Sequence, residues 1–131
     1  MRAIRFFIFT IFNMAYKDGN NEQTDPYTYS VMIILVLEFF LALLVGFFLR
    51  YAVDFDIFDK LDVLCGNKYG FELAFLTLLG PANYYFFIKE KRLDSYYDEF
   101  RNAEMNTLKN RKIGYICLAL YVPICVTLSV L

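Results

Sequence analysis

The chain has 131 residues, of which 59% are hydrophobic and 20% aromatic, with a net charge of −1 and no histidine. Soluble domains usually have about 45–50% apolar residues, so this composition favours a membrane protein. The near-neutral charge argues against nucleic acid as a partner, and the missing histidine removes the commonest general base and metal ligand.

Residues 1–28 predict an amphipathic helix followed by a polar linker. The polar side chains of the helix share one arc of a helical wheel: Arg2, Arg5, Thr10, Asn13 and Lys17. Residues 3–16 would reach only ~21 Å as a helix, against a hydrocarbon core of ~30 Å. We therefore predict a helix in the membrane interface, with Arg2 and Arg5 toward lipid headgroups. The alternative is a short fourth span.

Residues 29–49 form the first predicted span. This stretch carries a single charge, Glu38, and as a helix it would be ~30 Å long, the thickness of the hydrocarbon core. A helix that is apolar on every side needs lipid or a large protein core, and a chain this short offers no large core.

Residues 50–70 are rich in aspartate and predict a short helix on the membrane surface. A calcium-binding EF-hand starting at Asp54 would need glycine at its sixth position and glutamate at its twelfth, where this chain has Asp59 and Cys65. The alternative is an apolar stripe on a helix that ends near Cys65, comprising Val53, Ile57, Leu61 and Leu64. We favour that stripe over a calcium site.

The remaining chain predicts two further spans, at residues 71–88 and 113–131, joined by a charged segment at 89–112. Pro81 lacks an N–H for the carbonyl of Thr77, so we expect a bend there. Helical spacing of apolar residues between the charges predicts that residues 89–112 continue the second span as a hydrated helix.

The basic residues indicate the orientation of the spans. Residues 89–112 contain seven lysines and arginines, whereas 50–70 contain three. The more basic loop should be cytoplasmic, together with the N-terminus. The residues that we expect near headgroups or at membrane exits are Arg2, Arg5, Lys89, Lys91, Arg92, Lys109, Arg111 and Lys112.

Glu38 is the strongest candidate for a functional residue. It lies ~14 Å along the first span, close to the bilayer midplane, where an ionised carboxylate costs ~3 kcal/mol or more. We therefore expect it to be partnered or protonated. Asn83 and Tyr121 reach a similar depth, and Ala42 and Gly46 offer small side chains for helix packing. The full set of candidate residues is Glu38, Ala42, Gly46, Thr77, Pro81, Asn83 and Tyr121.

Two roles for Glu38 stay open. It can stabilise the packing of the helices by hydrogen bonding to Asn83 or Tyr121, or it can belong to an ion path or an oligomer interface. The chain lacks a nucleophile elbow, a phosphate-binding glycine loop and metal-ligand spacings, which argues against an enzyme and against a cofactor or metal.

The segments NYYFFIKEKR at 83–92 and RKIG at 111–114, after an aromatic-rich N-terminal helix, resemble small multi-pass membrane proteins of Bacteroidota. The resemblance implies a bacterial inner membrane and carries no assigned activity. The sequence as a whole predicts an all-α membrane protein, a three-helix bundle with interfacial helices. We expect it to work through self-association or a membrane partner, or alternatively as an oligomeric ion channel or transporter.

The predicted orientation can be tested with single cysteines in a cysteine-free background. A membrane-impermeant thiol reagent applied to intact spheroplasts should label Asp59→Cys and leave Ser95→Cys unlabelled, because only residues 50–70 would face outward. The reverse pattern of labelling would contradict this orientation.

Overall fold

The computed structural model describes residues 1–20 and 25–130, and every regular element within these ranges is helical. Residues 21–24 of the predicted linker and Leu131 of the third predicted span lie outside the described residues. The helices are α1 (Arg2–Tyr16), α2 (Pro26–Val53), α3 (Ile57–Cys65), α4 (Gly70–Asn83), α5 (Arg92–Phe100) and α6 (Leu108–Val130). A short 3₁₀ turn, Lys17–Gly19, follows α1, and a π-helix, Tyr84–Lys89, extends α4.

Three helices are long and apolar enough to cross a membrane: Pro26–Val53, Gly70–Lys89 and Leu108–Val130. They match the three predicted spans, which confirms the all-α class and the membrane character. Because the chain itself buries only 17%, 22% and 6% of their apolar windows, most of their surface faces outward.

Helix α2 begins after a capping carboxylate and ends at a residue in the left-handed backbone conformation. Asp25 caps α2 by accepting bonds from the N–H groups of Tyr27 and Thr28, with Pro26 in the first turn. A hydrogen bond from the Thr28 hydroxyl lowers the pKa of Asp25, so this cap is complete above the ordinary pKa and is lost as the pH falls. Asp54, with a positive φ of 53°, ends α2.

Helix α1 packs against α2, α5 and α6 and supplies much of the buried core. Phe9 is fully buried, and its ring lies 5.8 Å from that of Phe100 and 6.0 Å from that of Tyr97 in α5. Leu93 and Phe100 of α5 are fully buried as well. A cluster of fully buried side chains therefore joins the N-terminal helix to the segment between the second and third spans.

The expectation that the polar arc of α1 is hydrated is wrong for two of its members. Thr10 is 1% exposed and Asn13 is 4% exposed. The Thr10 hydroxyl donates to the carbonyl of Phe6 at 2.9 Å, and Asn13 accepts from the N–H of Asp18 at 3.0 Å. Because both groups are satisfied within or just after their own helix, they can be buried without an unpaired polar atom.

The prediction of a hydrated helix that continues from the second span is also wrong. Lys91 adopts a left-handed conformation with φ 53°, which breaks the helix between the π-helical extension and α5. The apolar side of α5 then folds against α1 instead of standing in water, with Leu93, Tyr96 and Phe100 buried.

Helix α3 packs on α4 and α2 at the opposite ends of the spans. The ring of Phe58 lies so close to Gly46 that a Cβ at this glycine would clash with its Cζ. Of the predicted apolar stripe, Ile57 and Leu61 on α3 are half-buried, Leu64 is 80% exposed, and Val53 is 63% exposed at the end of α2.

Phe9→Ala should destabilise the protein by about 3–5 kcal/mol, because it leaves a cavity in a fully buried aromatic cluster. Thermal unfolding in detergent would measure the change. Ile4→Ala, at a position of the same helix that is 62% exposed, should cost much less. Equal losses for the two variants would contradict the burial of α1.

Candidate functional site

The two predicted polar partners in the membrane, Glu38 and Asn83, are hydrogen bonded. The side-chain Nδ2 of Asn83 donates to Oε2 of Glu38 at 2.6 Å and to the carbonyl of Leu79 at 3.0 Å. Asn83 is 6% exposed and Glu38 is half-buried. This pair ties α4 to α2 and confirms the predicted contact between these residues.

Tyr121 reaches the same level of α2 but contacts a different group from the one predicted. Its hydroxyl donates to the carbonyl of Leu37 at 3.0 Å rather than to Glu38. Because Leu37 and Glu38 are consecutive residues, α4 and α6 are both fastened to α2 by polar bonds at one level. Sequence counting predicted the depth but could not distinguish a side-chain acceptor from the neighbouring backbone carbonyl.

One carboxyl oxygen of Glu38 stays open. Among the described residues, none forms a hydrogen bond with Oε1. Every fully buried side-chain oxygen in these residues has a hydrogen-bond partner, so Oε1 is not fully buried and retains accessible surface. Glu38 and Asn83 lie in the wall of a cleft of ≈ 590 Å³. The other lining residues are Leu79, Ala82, Tyr85, Phe86 and Phe87. The arrangement offers a carboxyl group to whatever fills this cleft.

The other candidate residues do not converge on Glu38. Thr77 and Pro81 are exposed on the surface of α4, which continues as a helix through Pro81 and changes to π-helical bonding at Tyr84. Ala42 is half-buried, and Gly46 receives the ring of Phe58. At Gly46 the neighbouring helix that comes close is α3, whose Phe58 ring occupies the space beside this glycine.

Most of the predicted headgroup residues lie at the surface, and three of them form ion pairs. Arg5 pairs with Glu99 at 2.8 Å, Arg92 with Glu90 at 3.2 Å, and Arg111 with Asp18 at 3.3 Å. The exposed members are Arg2, Lys89, Lys91, Arg92, Lys109 and Lys112. Exposed pairs contribute only about 0–1 kcal/mol each, so these pairs add little to the stability of the fold.

Sequence reasoning missed the junction at the end of α1. Asp18 accepts from the Tyr97 hydroxyl at 3.5 Å and from Arg111, which joins α1, α5 and α6 at one point. Burial and the nearby Asp18 carboxylate raise the pKa of Tyr97, so its contribution to stability is lost only as the pH rises through that raised pKa. The consecutive residues Lys17-Asp18 gave no signal of this contact.

No cluster of three or more His, Cys, Asp or Glu side chains in the described ranges 1–20 and 25–130 could hold a metal ion. The chain matches no family model, no curated protein and no solved structure. The role of the candidate site is therefore inferred from its geometry alone.

Asn83→Leu should destabilise the protein by about 1–3 kcal/mol, because the Glu38 carboxyl loses its donor while the shape of the site is kept. Thermal unfolding in detergent would measure this loss, with Thr77→Val as the control at an exposed position of the same helix. The double variant with Glu38→Leu should recover part of the loss, since it removes both polar groups. A loss no larger than that of the control would contradict a structural role for the bond.

Proposed function

We propose that this chain is a small multi-pass membrane protein that acts without catalysis, by associating within the bilayer with a second copy or a membrane partner. The open carboxyl of Glu38 carries the proposal. A carboxyl group near the bilayer midplane is costly unless protein or water surrounds it, and one of its oxygens has no partner among the described residues. A helix from another subunit in the ≈ 590 Å³ cleft would complete its environment.

The surface of the spans supports the same proposal. Thr77 and Pro81 are exposed on α4, and Pro81 provides no N–H for the Thr77 carbonyl. In lipid such a carbonyl is stabilised by a neighbouring helix or a polar side chain. The open carboxyl of Glu38 on α2 and the Thr77 carbonyl on α4 are thus both better satisfied in an assembly than in a lone chain.

The mass of the protein in mild detergent tests self-association. We expect a multiple of the 15.5 kDa chain mass for the wild type and a shift toward one chain mass for Glu38→Leu, which removes the polar contact at the cleft. Glu72→Leu removes an acidic side chain from the first turn of α4 and serves as the control. This variant should keep the wild-type mass. A single chain mass for the wild type would contradict self-association.

Ion conduction through an oligomer is the second candidate, and the open position of Glu38 at the cleft favours it. Three spans enclose little space, so a path would need several copies. Here the titratable proton matters: Glu38→Gln should abolish ion flux in liposomes while the mass in detergent stays unchanged. Under association alone, Glu38→Gln keeps a donor and an acceptor, and no flux is expected from either protein.

A further inference from the structure

Two adjoining clefts lie beside the end of α1, away from Glu38. The first, of ≈ 460 Å³, is polar and is lined by Asn13, Lys17, Asp18, Arg111 and Tyr115, together with Met14. The second, of ≈ 330 Å³, is lined only by apolar and aromatic side chains of α1, α2 and α6. Met14 lines both clefts, so the polar cleft and the apolar cleft adjoin at this side chain.

One face of α6 connects the two clefts. Arg111 and Tyr115 line the polar cleft, and Leu118 and Val122 line the apolar cleft, at helical steps of four, three and four residues. The stripe from Arg111 to Val122 is ~17 Å long, about half of the ~30 Å hydrocarbon core. A charged end and an apolar groove as deep as one leaflet match the shape of a phospholipid.

Arg111 is held in place at the mouth of this groove. Its side chain is 21% exposed, its Nη1 donates to Asp18, its Nε donates to Asn106, and its guanidinium lies 5.8 Å from the centre of the Phe9 ring. No described residue accepts a bond from its third nitrogen, Nη2. A fixed guanidinium with a spare donor suits a phosphate oxygen.

The charges of the polar cleft favour an anionic headgroup. Lys17 and Arg111 contribute two positive charges and Asp18 one negative charge, so the lining has a net charge of +1. Asp18 binds one edge of Arg111 and thereby orients it. The negative charge of Asp18 also weakens the attraction of the cleft for anions. Basic pockets between spanning helices are a recurrent way of binding acidic lipid headgroups.

We propose that these clefts form a binding site for one anionic phospholipid. Its phosphate would contact Arg111 and Lys17, and one acyl chain would lie in the groove between α2 and α6 below Met14. This inference does not depend on the proposed association through Glu38, because the two sites share no residue.

Lipid retention measures this site directly. The protein is reconstituted in vesicles of equal parts phosphatidylglycerol and phosphatidylcholine, extracted in mild detergent and analysed by native mass spectrometry. We expect one retained phosphatidylglycerol per chain for the wild type. Arg111→Gln and Lys17→Gln should each reduce its retention about fivefold, as expected for the loss of one cation near an anionic headgroup. Lys112→Gln makes the same charge change outside the cleft and should have little effect.

Two further variants separate a lipid site from a structural role. Asp18→Asn breaks the ion pair but makes the cleft more positive, so it should keep or increase retention, whereas a purely structural Arg111 predicts a loss. Val122→Trp should fill the groove and abolish retention without changing any charge. Leu120→Trp, at a position of α6 that is 52% exposed, is its control and should retain the lipid.

Several results would overturn the proposal. They are equal retention of the two lipids by the wild type, equal losses for Arg111→Gln and Lys112→Gln, reduced retention in Asp18→Asn, and normal retention in Val122→Trp.

Discussion

Burial of the aromatic side of α1 against α5 is the interaction on which the rest of the structure depends. Between helices surrounded by lipid the hydrophobic effect offers no driving force, because lipid tails are as apolar as the side chains. The spans accordingly bury little of their surface in one another. The fully buried side chains Phe9, Leu93 and Phe100 instead gather where α1 meets the polar segment between two spans. This cluster positions the beginning of α2 and of α6, and hence the clefts beside Met14.

Polar bonds align the spans at a second level. The bond of Asn83 with Glu38 and that of Tyr121 with the carbonyl of Leu37 attach two helices to neighbouring residues of α2. Bonds of this kind contribute about 0.5–2 kcal/mol each in a membrane, which is modest beside the loss of a buried phenylalanine. Their role is to fix which faces of the helices meet. The open oxygen of Glu38 shows that the alignment also leaves a polar group available to another molecule.

The sequence was sufficient for the candidate spans and for Asn83 as one of two possible partners of Glu38, since both follow from hydropathy and depth along a helix. It was insufficient where polar groups are satisfied locally. A helical wheel treats Thr10 and Asn13 as hydrated, yet their bonds to Phe6 and Asp18 allow both to be buried. It was also insufficient where distant segments meet, as at Gly46 beside Phe58. Arg111 gained its partners only through the folding of α1, α5 and α6 together.

The contact of α1 with α5 has a consequence for the order of synthesis. Arg5 and Glu99 are 94 positions apart, so α1 meets its partner in α5 only after α2, α3 and α4 have been synthesised. Until then Phe6 and Phe9 lack the ring of Phe100 that covers them, and contacts of such high sequence separation form slowly. Before that contact forms, the membrane surface can cover the apolar side of an amphipathic segment. The rings of Phe6 and Phe9 therefore stay partly uncovered by protein until α5 has been made.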